Sequence, residues 1–223
     1  HKQAMRHQRL GRHVLLIGHA GHPEVVGTMG QLEPGAVTLV ETVGQVADLA
    51  VPDENNLGYV TQTTLSVDDT ADIVAALEQR FPDLTPPSSE SICYATTNRQ
   101  EAVKKAAPGT GMFLIVGAPN SSNSRRLVEV AKRNGAADAV LVQRASEIDW
   151  ARMRGVSSVG LSAGASAPEI VVQEIIDAFR ERFVLTVDIA LTVEETENFP
   201  VMRDLRDTEL GVADMAFLNG TDG

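Results

Sequence analysis

The chain has 223 residues, of which 43% are apolar and 4% aromatic, enough for one large or two ordinary α/β domains. Its 19 basic and 30 acidic residues give a formal net charge of −11. This charge argues against a nucleic-acid-binding or anionic-membrane surface, because both need a positive field. No apolar run approaches the roughly 20 residues that span a bilayer, and no signal-peptide pattern opens the sequence. We therefore predict a soluble, cytoplasmic protein in which any anion is held by local groups.

The first twelve residues, HKQAMRHQRLGR, are basic and are typical of the middle of an exposed helix that stops at Gly11. The sequence also begins without a methionine. We therefore expect that further chain precedes His1.

Five segments share one pattern, in which a short aliphatic run is followed by a polar loop and then by helical periodicity. The aliphatic runs predict strands at 14–17, 57–61, 91–95, 112–117 and 156–160. Helices are predicted over 67–81, 99–107 and 167–179. This alternation predicts parallel sheets with helices on their faces, and the strand-to-helix loops of such sheets gather at the carboxyl edge. All five loops can therefore face a common site.

The segment from Pro82 to Glu90 contains three prolines and two serines and interrupts both periodicities. We place a domain boundary there, which predicts one α/β domain over 1–86 and a second over 87–182. Residues 183–189 could form a strand, and the acidic stretch after them suggests an appended tail. We treat 183–223 as a C-terminal tail and assign it no activity.

The stretch from Asn120 to Ser124 places five small hydroxyl or amide side chains between a predicted buried strand and a helix. The N–H groups at a helix N-terminus are unpaired and carry partial positive charge, so such side chains can hold phosphate there without a basic surface. Thr63 and Thr64 are a similar excess, because they precede the more natural cap at Ser66. The excess of hydroxyls and amides predicts a phosphate site.

Helix capping is the alternative explanation of each polar loop. Ser166 with Glu169, and Asn98 with Glu101, both have the spacing of a capping box. A cap needs only one such residue, however, so capping does not account for all five residues of the stretch from Asn120 to Ser124.

The loop after the first strand brings together an imidazole and a carboxylate, His22 and Glu24. This pair could bind an anion and relay a proton, or it could be an ordinary surface turn. His19 in the same loop is interpreted as structural. Cys93 is the only cysteine, so it is a free thiol, a buried side chain or a metal ligand, and one thiolate cannot make a metal site.

Five motifs, in chain order, resemble the 4-hydroxy-3-methylbut-2-enyl diphosphate reductases, the last enzymes of the non-mevalonate isoprenoid pathway. They are GHAGHPEVVGTMGQ, VTQTTLSVDDT, ICYATTNRQEAV, NSSNSRRLVEVA and AGASAPEI. The resemblance covers about Leu15 to Phe179 and implies a trefoil-like fold of three α/β domains around an iron–sulfur cluster. This chain would supply the second and third domains, with the first domain absent from it.

The resemblance also implies a role for each matching residue. Glu24 would serve substrate protonation, and Cys93 would be a ligand of the [4Fe–4S] cluster. The substrate diphosphate would be bound by side chains from four loops, namely His22, Thr63, Thr64, Ser121, Ser122, Asn123 and Ser166. The implied reaction is the reductive removal of an allylic hydroxyl with two electrons, supplied by a donor such as ferredoxin or flavodoxin, to give isopentenyl and dimethylallyl diphosphate.

The sequence departs from this family in its cysteines. Members carry two further cluster cysteines in the first domain, and neither is present here. Two alternatives therefore stay open beside the reductase: a cluster-free module that only binds diphosphate, and a structural α/β protein whose loops are caps. We favour the reductase, because binding alone does not require Glu24 or Cys93.

Overall fold

Strands and helices alternate along the chain in the computed structural model, which describes residues 1–88 and 94–190. These residues belong to one unit, His1–Thr192. The strands are β1 (His13–Ile17), β2 (Val37–Val40), β3 (Leu57–Thr61), β4 (Met112–Val116), β5 (Ala139–Val142) and β6 (Val159–Ala163). The α-helices are α1 (Lys2–Arg9), α2 (Pro23–Met29), α3 (Val43–Val46), α4 (Val67–Arg80), α5 (Tyr94–Ala106), α6 (Ser122–Arg133) and α7 (Glu169–Arg180). Two short 3₁₀ helices lie at Ala145–Glu147 and Trp150–Met153.

The described strands form two parallel three-stranded sheets with the same internal order, β2-β1-β3 and β5-β4-β6. In each sheet the strand that comes first in the chain lies in the centre, so Val14 of β1 pairs with both Val37 and Gly58. The two sheets confirm the predicted α/β class with parallel sheets. Because both central strands have neighbours on either side, the loops that follow β1 and β4 lie at the point where strand order reverses, where α/β proteins bind ligands.

Each sheet is covered by apolar side chains on both faces, as parallel sheets require. Alternate residues of β1 point to opposite faces: Leu15 and Ile17 pack with α4, whereas Val14 and Leu16 pack with Ala4 and Val25. The second sheet is built in the same way, since Phe113 and Ile115 belong to one cluster and Met112, Leu114 and Val116 to another. These two cores hold the loops at the carboxyl ends of the strands.

The local predictions at the starts of α5 and α7 are wrong. α5 begins at Tyr94 and not at residue 99, so Thr96 to Asn98 are helical, and Thr96 is buried. The capping box at Asn98 therefore does not exist, and Tyr94 and Ala95 are not in a strand; residues 91–93 lie outside the described range. α7 begins at Glu169 and not at residue 167, because a residue that precedes proline disfavours helical geometry. Its N-cap is Pro168, whose side chain cannot accept a hydrogen bond, so Ser166 and Glu169 do not form the predicted capping box.

The predictions at the two ends of the described chain are only partly correct. The helix near the start is confirmed as α1, and Gly11 follows it with a φ of 74°. The helix is not fully exposed, because Ala4 and His7 are buried. No strand occurs within residues 183–190, where Val184 and Ile189 are exposed.

Candidate functional site

His22 connects the loop after β1 to the start of α6. It is the N-cap of α2, and its Nδ1 accepts a hydrogen bond from the backbone N–H of Glu24 at 3.2 Å. A neutral imidazole that accepts at Nδ1 carries its hydrogen on Nε2. That nitrogen lies 2.7 Å from Ser122 Oγ and donates to it. The sequence-predicted anion ligands of the two sheets therefore meet in one place.

The carboxylate of Glu24 is bound by a single residue of the loop after β3. Oε1 accepts a hydrogen bond from the backbone N–H of Thr63, and Oε2 accepts one from Thr63 Oγ1, both at 2.9 Å. Two hydrogen bonds to two oxygens fix the plane of the carboxylate. The arrangement brings Glu24 and Thr63, which are 39 residues apart, into direct contact.

The start of α6 is tightly packed against the loops after β4 and β6. Ser121 is the N-cap: its Oγ accepts from the backbone N–H of Ser124 at 3.3 Å and from Ser124 Oγ at 3.0 Å. A Cβ atom added at Gly117 or at Gly164 would lie 2.2 Å from Ser124 Oγ. Both positions therefore need glycine for the first turn of α6 to sit where it does.

Asn123 has a buried side chain that is left without partners. The residue is only 7% exposed, and both its Oδ1 and its Nδ2 lack a hydrogen-bond partner among the described residues. Buried polar groups are nearly always paired, because an unpaired amide loses its hydration without compensation. This amide lies beside Ser122 in the first turn of a 12-residue helix, where backbone N–H groups also favour an anion, so Asn123 is a candidate anion ligand.

The remaining predicted ligands are placed differently. Thr64 Oγ1 accepts a hydrogen bond from Gln62 at 3.1 Å and so lies in the same loop as Thr63. Ser166 is exposed and makes no hydrogen bond to another described residue. Cys93 lies outside the described residues.

Gln62 is a residue of this site that sequence reasoning missed. Its side chain is 2% exposed, and Oε1 accepts a hydrogen bond from the backbone N–H of His19 at 3.0 Å. Gln62 thus ties the loop after β3 to the loop after β1. The available signal was a polar residue directly at the end of a buried strand. The ring of His19 also contacts Arg126, with Nε2 and Nη2 3.0 Å apart.

A separate cavity of about 260 Å³ borders His19 and Arg126. Three carboxylates line it, from Glu41, Asp69 and Asp72, against one guanidinium. The negative charge of these groups repels a diphosphate. This cavity is therefore a poor anion site.

No group of three or more His, Cys, Asp or Glu side chains that could hold a metal ion occurs within residues 1–88 and 94–190. The sequence contains one cysteine, Cys93. A four-iron cluster takes about four ligands, mostly thiolates. The donor set of this chain alone therefore does not fit such a cluster, and a ligand role for Cys93 stays a prediction.

Comparison with known proteins identifies the family. A family model described as LytB protein matches residues 1–180. The chain belongs to the LytB protein family. A LytB relative from Mesorhizobium japonicum, named 4-hydroxy-3-methylbut-2-enyl diphosphate reductase, is 71% identical over 220 residues, and a relative of the same name from Rhizobium meliloti is 69% identical over 220 residues.

The matches cover 99% of this chain but only 66% and 63% of those two relatives, so the chain spans less than two thirds of their length. A solved structure of the E-1-hydroxy-2-methyl-but-2-enyl-4-diphosphate reductase from Plasmodium falciparum superposes with a TM-score of 0.74 at 31% identity. That match covers 100% of this chain and 67% of the other. This structural match therefore agrees with the two-sheet α/β fold of the chain. No helix in the described part of the chain is long and apolar enough to cross a membrane.

Proposed function

We propose that this chain is part of a 4-hydroxy-3-methylbut-2-enyl diphosphate reductase and that it holds the substrate diphosphate and delivers a proton. The observation that carries the proposal is the unpartnered, buried amide of Asn123, one residue from Ser122, which contacts His22. Family membership and the names of close relatives support the substrate. An acidic chain with a net charge of −11 needs such local neutral donors to bind an anion.

In this proposal the diphosphate lies over the first turn of α6, where backbone N–H groups and the helix dipole favour negative charge. Asn123 Nδ2 donates to a phosphate oxygen and so gains the partner it lacks. His22 Nε2–H and the Ser122 hydroxyl, now 2.7 Å apart, both turn to phosphate oxygens. Ser121, Thr64 and Ser166 supply further hydroxyl donors, whereas the single hydroxyl hydrogen of Thr63 is donated to Glu24.

Glu24 is the proposed proton donor of the reaction. In this proposal the carboxyl group lies near the allylic end of the substrate and passes a proton to it, and the hydrogen bonds from Thr63 keep the group oriented. The allylic C–O bond breaks as two electrons enter. One proton converts the leaving hydroxyl to water, and a second adds to an allylic carbon to give isopentenyl or dimethylallyl diphosphate.

The two electrons require a redox group, and we propose a [4Fe–4S] cluster for which Cys93 supplies one ligand. The cluster supplies the electrons one at a time when it is bound. Its other thiolates are cysteines that this sequence does not contain. A donor such as ferredoxin or flavodoxin would reduce the protein, and a cytoplasmic location suits both.

We also propose that residues 1–86 and 87–182 are two domains and that residues 183–223 form a tail. The two sheets support this division, because the first ends with Thr61 and the second begins with Met112. A trefoil arrangement with a third domain is part of the same proposal.

The test uses the anaerobically purified whole protein, in which iron, acid-labile sulfide and turnover are measured on one sample. We expect about four irons per chain and conversion of the substrate to the two product diphosphates under a strong reductant. Calorimetry should show binding of the substrate but not of the corresponding diol without phosphate. An iron-free protein that binds the diphosphate without converting it would contradict the reductase and leave the binding module.

A further inference from the structure

Gln100 is a fully buried polar residue that α5 directs into the loop after β3. It is 0% exposed, although glutamine is usually found at the surface. Its Oε1 accepts a hydrogen bond from the backbone N–H of Val67 at 3.0 Å, and its Nε2 donates to the carbonyl of Leu65 at 2.7 Å. One amide thus pairs with two backbone groups that are 33 and 35 residues away.

Neither backbone group is paired by regular secondary structure, because Leu65 lies in the loop between β3 and α4 and Val67 opens the helix. Val67 is the first residue of α4, so its N–H is one of the donors that the helix leaves unpaired. Ser66 caps the helix by accepting from the N–H of Asp69, at 3.2 Å, and does not satisfy Val67. Gln100 therefore completes the start of α4 from a helix that packs on the other sheet.

The loop that Gln100 holds also holds the carboxylate of the site. Thr63 lies two residues before Leu65, and its N–H and hydroxyl both bind Glu24. On its other side, α5 packs against α6 through Val103 and Leu127, and the first turn of α6 carries Asn123. A continuous path of contacts thus leads from the proposed proton donor to the proposed diphosphate ligand.

The charged contacts along the same boundary are exposed and contribute less. Lys104 pairs with Asp68 at 2.7 Å, and Arg133 pairs with Asp69 at 2.7 Å, but each pair includes an exposed partner. Exposed ion pairs contribute little because water and salt screen them. The amide of Gln100 is shielded from this screening, because the residue is 0% exposed.

We propose that Gln100 is a positioning residue that holds the Thr63 loop, and with it Glu24, in register with the diphosphate-binding turn of α6. This inference rests on the proposed function of the site. Gln100 itself touches neither Glu24 nor the phosphate position. Its effect passes through the backbone of residues 63–67.

The test compares Gln100→Met with Val103→Ala in the full chain. Val103 is also 0% exposed and lies on the same helix, but it packs in the core and does not contact the loop. In Gln100→Met we expect the amide hydrogens of Val67 and Thr63 to exchange about tenfold faster, the effect of losing roughly one hydrogen bond. In Val103→Ala the exchange rates of these two amide hydrogens should increase no more than the rates of the slowest-exchanging amides of the chain.

Two further readouts separate positioning from a loss of stability. The dissociation constant of inorganic pyrophosphate should rise severalfold in Gln100→Met, whereas Val103→Ala, which alters the packing of α5 against α6, is the control for the exchange measurement alone. In Gln100→Glu, burial favours the neutral carboxyl, whose O–H can donate to Leu65 while its carbonyl oxygen accepts from Val67. Protection of Thr63 should therefore recover in Gln100→Glu as the pH falls, but not in Gln100→Met.

Unchanged exchange at Thr63 in a folded Gln100→Met variant would overturn the proposal, whatever the pyrophosphate result. If the wild-type chain bound no pyrophosphate, the phosphate site of the proposed function would be wrong. The exchange of Thr63 would still decide whether Gln100 holds the loop, so the two failures are distinguishable.

Discussion

Replacing Asn123 by alanine should stabilise the ligand-free protein and weaken its binding of diphosphate. The amide is 7% exposed and its two polar atoms have no partner among the described residues, so alanine removes a buried group that has lost its hydration. In the proposed complex the same amide donates to a phosphate oxygen. One substitution therefore has opposite effects on folding and on binding.

The magnitudes follow from these contacts. An unsatisfied buried polar group costs about 1–3 kcal/mol, and alanine gains a few tenths of a kcal/mol or more in helix propensity. Lost packing of the amide offsets about 1 kcal/mol. We expect the free energy of unfolding to rise by about 1 kcal/mol. A hydrogen bond to a charged group contributes about 1.5–3 kcal/mol, so pyrophosphate affinity should fall about 10- to 150-fold.

The assays are urea unfolding followed by circular dichroism and calorimetric titration with pyrophosphate. Asn134→Ala is the matched control, because Asn134 lies at the other end of α6 and its Nδ2 donates to the carbonyl of Val130 at 2.8 Å. That variant should lose about 1 kcal/mol of stability, the contribution of one hydrogen bond, and bind pyrophosphate normally. A destabilised Asn123→Ala, or one that binds pyrophosphate within twofold of wild type, would refute the reasoning.

Glu24→Gln should keep substrate affinity, because the amide oxygen can still accept a hydrogen bond from Thr63. Turnover should fall at least about a hundredfold, because the amide has no proton to transfer. Normal turnover would exclude Glu24 as the proton donor. Gly117→Ala should lower the melting temperature and weaken pyrophosphate binding, because the new Cβ would lie 2.2 Å from Ser124 Oγ; an unchanged melting temperature would show that α6 can shift freely. Burial, with Arg12 and Arg6 nearby, lowers the pKa of His7 in the folded protein. The imidazole therefore binds a proton more readily in the unfolded chain, so the free energy of unfolding falls as the pH drops below about 6.5. His7→Gln should reduce that loss in urea unfolding at pH 7.5 and 5.0, and an equal loss in both proteins would contradict the assignment.

The sequence predicted the elements whose periodicity reflects burial. Runs such as Met112–Val116, which is buried at every position, have no other stable place than a central parallel strand. The cap at Ser66 was also predictable, because capping is a local interaction. The start of α5 was not predictable in this way. Thr96 is buried by tertiary packing, and such packing overrides the weak preference of threonine for non-helical structure.

The site could be predicted as a set of residues but not as a geometry. The motif residues His22 and Ser122 were each interpretable, yet their contact depends on how two separate sheets are placed, 100 residues apart in the chain. Gln100 gave no signal at all, because a glutamine in a helical stretch usually points to solvent. Its role follows only from the position of a loop that belongs to the other sheet.

The hydrogen bond between His22 and Ser122 has a thermodynamic consequence for how the chain melts. A ligand that is held by both loops is released when either sheet unfolds, so its binding free energy stabilises both at once. At a concentration of 100 times Kd this amounts to about 2.7 kcal/mol. In the proposed site a bound diphosphate would act as a non-covalent cross-link that raises the melting cooperativity of the chain, and the width of the thermal transition would measure whether the two sheets share one ligand.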